Sequence, residues 1–194
     1  MLLAGAGLLL ALPLSAVIAL AIKLTDGGPV FFTQDRVGKG GRPFASYKFR
    51  SMVPDADRRF GVVQAQEHDP RVTAVGRILR MTAMDELPQL WNIFRGDMSF
   101  VGPRALATHE VELHGDGRSI RLEDIPGFTE RHGVAPGLTG IAQVFAPRDI
   151  PRRQKFRYDH LYVKKQSFCL DIKLILISFW ITFRGKWEVR GDKF

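Results

Sequence analysis

The sequence predicts an α+β protein: a small, mostly helical domain with a short β-hairpin, carried on an apolar helix that inserts into a membrane. Three observations predict it. The first 22 residues, MLLAGAGLLLALPLSAVIALAI, hold no charged side chain, so all 28 Lys and Arg and all 20 Asp and Glu fall within residues 23–194. Residues 29–37, PVFFTQDRV, and 43–50, PFASYKFR, read as two strands joined by the turn Gly38-Lys39-Gly40-Gly41. Between Thr82 and Arg95, Leu87, Leu90, Trp91, Ile93 and Phe94 recur at helical spacing. A length of 194 residues suits one domain, 23–194, plus one anchor, 1–22.

As a helix, the leading run reaches about 33 Å, one hydrocarbon thickness. A cleaved signal peptide fits it poorly, because no basic residue leads it and Lys23-Leu24-Thr25 follows without a small-residue cleavage site. A buried core helix would be unusually apolar on every face. Pro13 removes a backbone donor and clashes with the carbonyl four residues earlier, so a kink is expected there. A modest kink lets the helix span; a large one returns both ends to one face. Lys23 and the basic remainder assign residues 23–194 to the cytoplasmic side.

The glycine turn lacks the G-x-x-x-x-G-K-[ST] spacing of a P-loop. Residues 54–70 read as a loop with a short helix, and Arg71–Met81 as short and helical or irregular. Pro88 suits only a first turn, so the next helix starts at Asp85 to Leu87 and stops at Gly96. Residues 99–104, SFVGPR, form a tight connection; Leu106–His114 reads as a helix; 115–130 as a polar loop with a short helix. Pro136–Gly140 reads as a turn, Ile141–Phe145 as a strand, and Tyr158–Lys165 as the start of the last helical region.

The run Phe168–Phe183 is interrupted by Asp171 and Lys173, and only ten residues separate Lys173 from Arg184, too few to span a bilayer. Arg148, Arg152, Arg153, Lys155, Arg157, Lys164 and Lys165 precede it; Arg184, Lys186 and Trp187 follow. An interfacial helix on anionic lipid has this composition; so does a core helix with a solvated basic collar. Phe179, Trp180 and Trp187 suit lipid or a second subunit equally, which leaves a homo-oligomer open.

A composition 45% hydrophobic and 25% charged, with net charge +8, excludes a disordered chain, a collagen-like repeat and a polytopic membrane protein. The single cysteine, Cys169, excludes an internal disulfide and a cysteine-built zinc site. Met84-Asp85-Glu86-Leu87-Pro88 is the richest candidate for chemistry. A carboxylate at a helix start can simply cap free N–H groups. Here, however, Arg77 and Arg80 precede the pair, and Arg95 and Arg104 follow it. A helix start also attracts phosphate. Cations and a divalent ion around an anionic substrate would let a carboxylate attack phosphorus. Mg²⁺ takes one or two carboxylates plus substrate phosphate. Lys48 and Arg50 point the same way from a strand and suit a diphosphate, or merely an exposed polar face. His68, His109, His114, His132 and His160 show no metal-ligand spacing.

The stretches GPVFFTQDRVGKGGRPFASYKFRSM, MTAMDELPQLWNIFRGDMSFVGPRA, and APGLTGIAQV followed by KFRYDHLYVKKQSFCLDIKLI resemble the bacterial sugar transferases, the monotopic phosphoglycosyl transferases. With the apolar run, the resemblance covers nearly the whole chain. It implies transfer of a sugar-1-phosphate from a UDP-sugar to a polyprenyl (undecaprenyl) phosphate, with release of UMP, at the cytoplasmic face of the bacterial inner membrane. This would be the first membrane step of glycoconjugate or exopolysaccharide synthesis. Asp85 would be the nucleophile that carries a covalent phospho-sugar, and Glu86 would complete the dyad. Both would sit at the Mg²⁺, and Lys48, Arg50, Arg80 and Arg104 would hold phosphates. The first helix would be re-entrant, broken at Pro13, with Trp180 and Trp187 at the membrane. Three departures stand out. Leu12-Pro13 replaces the family's Ser-Pro, removing a hydroxyl that can satisfy freed backbone groups. Phe145-Ala146-Pro147-Arg148-Asp149 stands where many relatives carry an Asn-Gly-Arg-like stretch, so the sugar is not indicated. The basic residues that precede the apolar run in relatives are also absent before Met1, as a late start or a trimmed longer protein would give.

Two other readings compete. A membrane-associated Mg²⁺-dependent phosphohydrolase would use the same Asp and cations with water as acceptor. A non-catalytic basic module for membrane or nucleic acid fits the +8 charge. That module leaves two carboxylates among arginines unexplained, and with no nucleic-acid motif present, nucleic acid is not an expected partner.

Overall fold

The computed structural model describes residues 2–56, 69–108, 110–113, 119–147, 150–185 and 187. Most of the expected 54–70 loop lies outside them, as do His68, His109, His114, Arg148 and Lys186.

Helix α1 runs from Leu2 to Asp26 with Pro13 inside it, about 37 Å of helix. Its end falls four residues beyond the expected boundary at Ile22. Thr25 Oγ1 donates to the Ala21 carbonyl (2.8 Å) and Lys23 Nζ to the Gly27 carbonyl (2.8 Å), so polar residues close the last turn. Pro13 does not break the helix. Its length and composition are those of a membrane-crossing helix. Only Ala4, Ile18 and Ile22 are buried in it, while Leu3, Leu10, Leu12, Val17 and Leu20 are exposed. Ala4 packs with Leu90, Ile93 and Met98; Ile18 and Ile22 pack with Phe49 and Leu79. Both halves of α1 therefore lie against the same domain.

Strands β1 (Phe31–Val37) and β2 (Pro43–Phe49) form the expected antiparallel hairpin, Phe31 opposite Phe49 and Val37 opposite Pro43. The free edge of β1 takes up the segment expected to be a helix at Leu106–His114. Val37 N donates to the Leu106 carbonyl at 2.8 Å, and Thr108 N to the Asp35 carbonyl at 3.2 Å. Backbone pairing to that edge outcompetes the helical pattern. Beyond it, β4 (Val111–Leu113) pairs antiparallel with β5 (Ser119–Arg121).

Helix α2 (Ala74–Met81) starts at Thr73, whose hydroxyl accepts from Gly76 N at 2.9 Å. A 3-10 turn, Met84–Glu86, leads into α3 (Gln89–Arg95), which Gly96 ends at φ +87° as expected. The regular α-helix begins after Pro88, later than expected, because the 3-10 turn closes first.

Residues 99–104 do more than connect: β3 (Ser99–Val101) pairs parallel with β6 (Gly137–Thr139). The expectation for residues 136–145 is thereby inverted, since the glycine-rich piece is the strand and Ile141–Phe145 is helix α5. A Cβ on Gly137 would fall 2.1 Å from Gly102 N, so only glycine permits this backbone approach. Ile141 and Val144, three apart, are buried, which is helical spacing. Helices α4 (Phe128–Arg131), α6 (Arg152–Lys165) and α7 (Phe168–Phe183) complete the domain. Helix α6 begins six residues earlier than expected, after Pro151. Leu174 and Ile181 of α7 are fully buried against Val101 and Val144. Phe168, Leu176, Phe179, Trp180 and Phe183 on its other side are exposed. Trp187 turns back, its indole N–H donating to Thr182 Oγ1.

Candidate active site

Helix α2 hands the chain to the site through a left-handed residue. Ala83 has φ +53°, an uncommon conformation for a residue with a Cβ. It reverses the chain so that Met84–Glu86 turns back on itself, with Glu86 N donating to the Ala83 carbonyl at 3.1 Å. Asp85 thus sits at the apex between α2 and α3. It is 9% exposed and, among the described residues, its carboxylate has no hydrogen-bond partner. The 3-10 turn has no side-chain cap, so Asp85 does not perform the capping that its position allows.

Glu86 is held very differently. Lys48, reaching from β2, donates to Glu86 Oε1 at 2.5 Å, and Arg104 Nη2 lies 3.4 Å from the same oxygen. Burial alone would raise the pKa of Glu86. The Lys48 and Arg104 charges, the Lys48 hydrogen bond and Arg36 overcome it and pull the pKa down to about 2. Burial pushes Asp85 up to about 6, opposed by the Lys48 charge and reinforced by its neighbour Glu86. Adjacent carboxylates in one turn are thereby split: one is locked as an anion among cations, the other is uncommitted and readily protonated. Burial likewise lowers the pKa of Lys48.

A cavity of about 1200 Å³ opens over this turn. Lys48, Arg50, Arg80, Asp85, Glu86 and Arg104 all line it, so the fold brings together every candidate phosphate and carboxylate residue. Arg50 differs from the others, because its guanidinium is clamped by Asp26 at the end of α1 in a two-pronged ion pair. Arg95 pairs instead with Asp97 at 3.5 Å, and neither Arg77 nor Arg95 is part of the wall. The wall continues past Leu14 of α1 to Ile175, Phe179 and Thr182 of α7 and to Trp187. Charged and apolar ends thus share one space, beside the exposed apolar faces of both helices.

Sequence patterns missed the groups behind this front. Arg36 donates to the Ala105 carbonyl at 2.5 Å and to Gln34 Oε1 at 3.0 Å. Arg131 pairs with Asp159 at 2.9 Å, and Arg152 pairs with Glu110. Each joins elements far apart in the chain, so no spacing announces it. Among the described residues no group of three or more His, Cys, Asp or Glu is gathered for a metal. The free Asp85 carboxylate fits the sparse protein share of an Mg²⁺ shell, which phosphate and water complete. Glu86 fits it less well, with Lys48 and Arg104 already on one oxygen.

A family model described as bacterial sugar transferase matches residues 1–185. A UDP-glucose:undecaprenyl-phosphate glucose-1-phosphate transferase of Caulobacter vibrioides is 46% identical over 179 residues, covering 89% of this chain and 64% of that protein. One of the same name from Klebsiella pneumoniae is 42% identical over 185 residues, covering 92% of this chain and 38% of its own length. A UDP-N-acetylgalactosamine-undecaprenyl-phosphate N-acetylgalactosaminephosphotransferase of Aeromonas hydrophila is 41% identical over 166 residues, covering 84% of this chain and 37% of its own. The chain therefore spans between about two fifths and two thirds of the length of these relatives.

Proposed function

This chain belongs to the bacterial sugar transferase family, and from that premise we propose that it transfers a sugar-1-phosphate from a UDP-sugar to a polyprenyl phosphate such as undecaprenyl phosphate, releasing UMP. The observation that carries the reading is the split between the two carboxylates. Asp85 is buried, free of hydrogen bonds among the described residues and open to a large cavity, while Glu86 is tied to Lys48 and Arg104.

In this mechanism an Asp85 carboxylate oxygen attacks the β-phosphorus of the donor. The bond from that phosphorus to the bridging oxygen breaks, and UMP leaves with the oxygen and its electron pair. The sugar-phosphate stays on Asp85 as an acyl phosphate ester. An oxygen of the polyprenyl phosphate then attacks the same phosphorus, freeing the Asp85 carboxylate and making a polyprenyl diphosphate sugar. Burial strips water from the nucleophile. Lys48, Arg80 and Arg104 offset charge on the phosphate oxygens, and Glu86 orients Lys48 and Arg104 among them. Arg50, paired with Asp26, contributes by tying α1 to the end of β2. Bound Mg²⁺, held by Asp85 and by Glu86 where its second oxygen reaches, would supply further positive charge to the diphosphate.

Two further features support the lipid acceptor. The cavity runs from the charged turn to α1 and α7, and those helices carry exposed Leu, Phe and Trp. Ala4 and Ile22, near opposite ends of α1, both pack on the domain that holds Asp85. That favours a helix with both ends on the cytoplasmic face, its outer side in one leaflet. Relatives of nearly equal identity are named for glucose and for N-acetylgalactosamine, so the donor sugar is left open between them.

The test is UMP release from a UDP-sugar panel with Mg²⁺, with and without polyprenyl phosphate. The transferase reading expects at most one UMP per chain without acceptor, and turnover with it. Full turnover without acceptor would instead make the protein a phosphohydrolase.

A further inference from the structure

The Arg104 side chain reaches the site from a backbone segment that needs external support. It is 46% exposed, and it follows Pro103 in a stretch without regular structure. Beside the Arg36 bond to the Ala105 carbonyl, ties at Pro103 and Arg104 themselves hold that backbone. On one side Arg104 bridges to Gly137 of β6, whose N–H donates to the Pro103 carbonyl at 3.0 Å. On the other, Arg131 Nη2 donates to the Arg104 carbonyl at 2.6 Å.

Arg131 is built for that contact. It is 2% exposed, and each edge of its guanidinium is engaged. Nε donates to Asp159 Oδ2 at 2.9 Å, Nη1 meets His132 Nε2 at 3.0 Å, and the plane covers the Phe156 ring at 4.9 Å. His132 Nδ1 lies 2.7 Å from the Phe128 carbonyl. A ring that donates there from Nδ1 has Nε2 free to accept from Arg131. Burial, then the Arg131 charge, pushes His132 down to about 4, so the ring stays neutral near pH 7 and keeps that role. Asp159 and Phe156 come from α6, and His132 directly follows Arg131 at the end of α4, so one distant helix and the next residue of the chain fix one guanidinium, which in turn fixes one carbonyl.

We propose that Arg131 is a positioning residue for phosphoryl transfer, acting through Arg104: it pins the Arg104 carbonyl so that the Arg104 guanidinium meets Glu86 Oε1 and the donor phosphate. This rests on the reading of Arg104 as a phosphate-holding cation. A lysine at 131 keeps the charge and a bond to Asp159, but a single ammonium cannot hold Asp159, His132 and the Arg104 carbonyl in one plane. A residue that acts only on stability lowers activity by the same factor whatever stands at 104. One that acts through Arg104 loses its effect once the Arg104 side chain is gone.

The experiment is a double-mutant cycle on UMP release by the full chain, with Arg131→Lys, Arg104→Ala and the double variant, each first shown to be folded by its melting transition. The expected result is a kcat lowered about tenfold by Arg131→Lys with the donor KM within about twofold, and a further loss under about twofold in the Arg104→Ala background. If Arg131→Lys does not fold, Asp159→Asn, which removes one anchor of the same guanidinium, runs through the same cycle with the same expectation. Equal losses in both backgrounds overturn the positioning role while leaving the transferase intact. A wild-type chain with no UMP release overturns both.

Discussion

Lys48 Nζ stands 2.5 Å from Glu86 Oε1, and this contact separates two carboxylates that adjoin in sequence. Glu86 becomes a fixed anion that collects cations. Asp85 stays uncommitted.

Removing that cation should cost both stability and activity. In Lys48→Met the buried Glu86 loses its nearest charge partner, and breaking such a pair costs on the order of 3 kcal/mol. Urea unfolding should show the loss as a lower midpoint, and UMP release should fall by about 100-fold as phosphate stabilisation is lost. An unchanged midpoint would mean that the pair is not formed.

The acidic limb of the pH profile should report Asp85. Attack needs its ionised form, so kcat/KM for UMP release should rise with pH through about 6. Glu86 raises the pKa of Asp85 and Lys48 lowers it. The limb should therefore move to lower pH in Glu86→Gln and to higher pH in Lys48→Met. Shifts in the same direction would contradict the assignment.

The Asp85 carboxylate should be held at a cost to the fold. Burial raises Asp85 from 3.8 to about 6, so the folded chain holds this proton more tightly than the unfolded one. The resulting stabilisation is full below the unfolded value and is lost as pH rises through the folded one. Asp85→Asn should therefore be more stable than wild type at pH 8, by on the order of 3 kcal/mol, with the advantage nearly gone near pH 4. It should be inactive throughout.

Both ends of α1 should face the cytoplasm. In a Cys169→Ser background, Leu3→Cys and Thr25→Cys should both react with a membrane-impermeant maleimide applied to inside-out vesicles, and neither in right-side-out ones. Labelling of Leu3→Cys from the outer side would make α1 a spanning helix and leave the chemistry standing.

The sequence announced features that are local. The absence of charge before Lys23 marked α1, alternation around a glycine turn marked the hairpin, and Leu87-Leu90-Trp91 with Gly96 marked α3. Features made by distant backbone were illegible. The 106–108 segment reads as helix until β1 offers it an edge. Gly137 reads as a turn until Gly102 lies against it. At the candidate site, the Asp85-Glu86 pair stands out by its motif, the family resemblance singles out Lys48, Arg80 and Arg104 beside it, and all five line one cavity. The Arg50 pairing with Asp26 was not foreseen, since it depends on where α1 ends. Nor was the Arg131–Asp159 pair, which spans 28 residues and two helices.

Mass spectrometry of the chain quenched with a UDP-sugar and Mg²⁺, before any polyprenyl phosphate is added, tests the central claim most directly. A sugar-phosphate mass on the peptide containing Asp85, absent in Asp85→Asn and discharged on addition of polyprenyl phosphate, is the expected result. Continued UMP turnover by Asp85→Asn, or a wild-type chain that turns over while Asp85 stays unmodified, would contradict it.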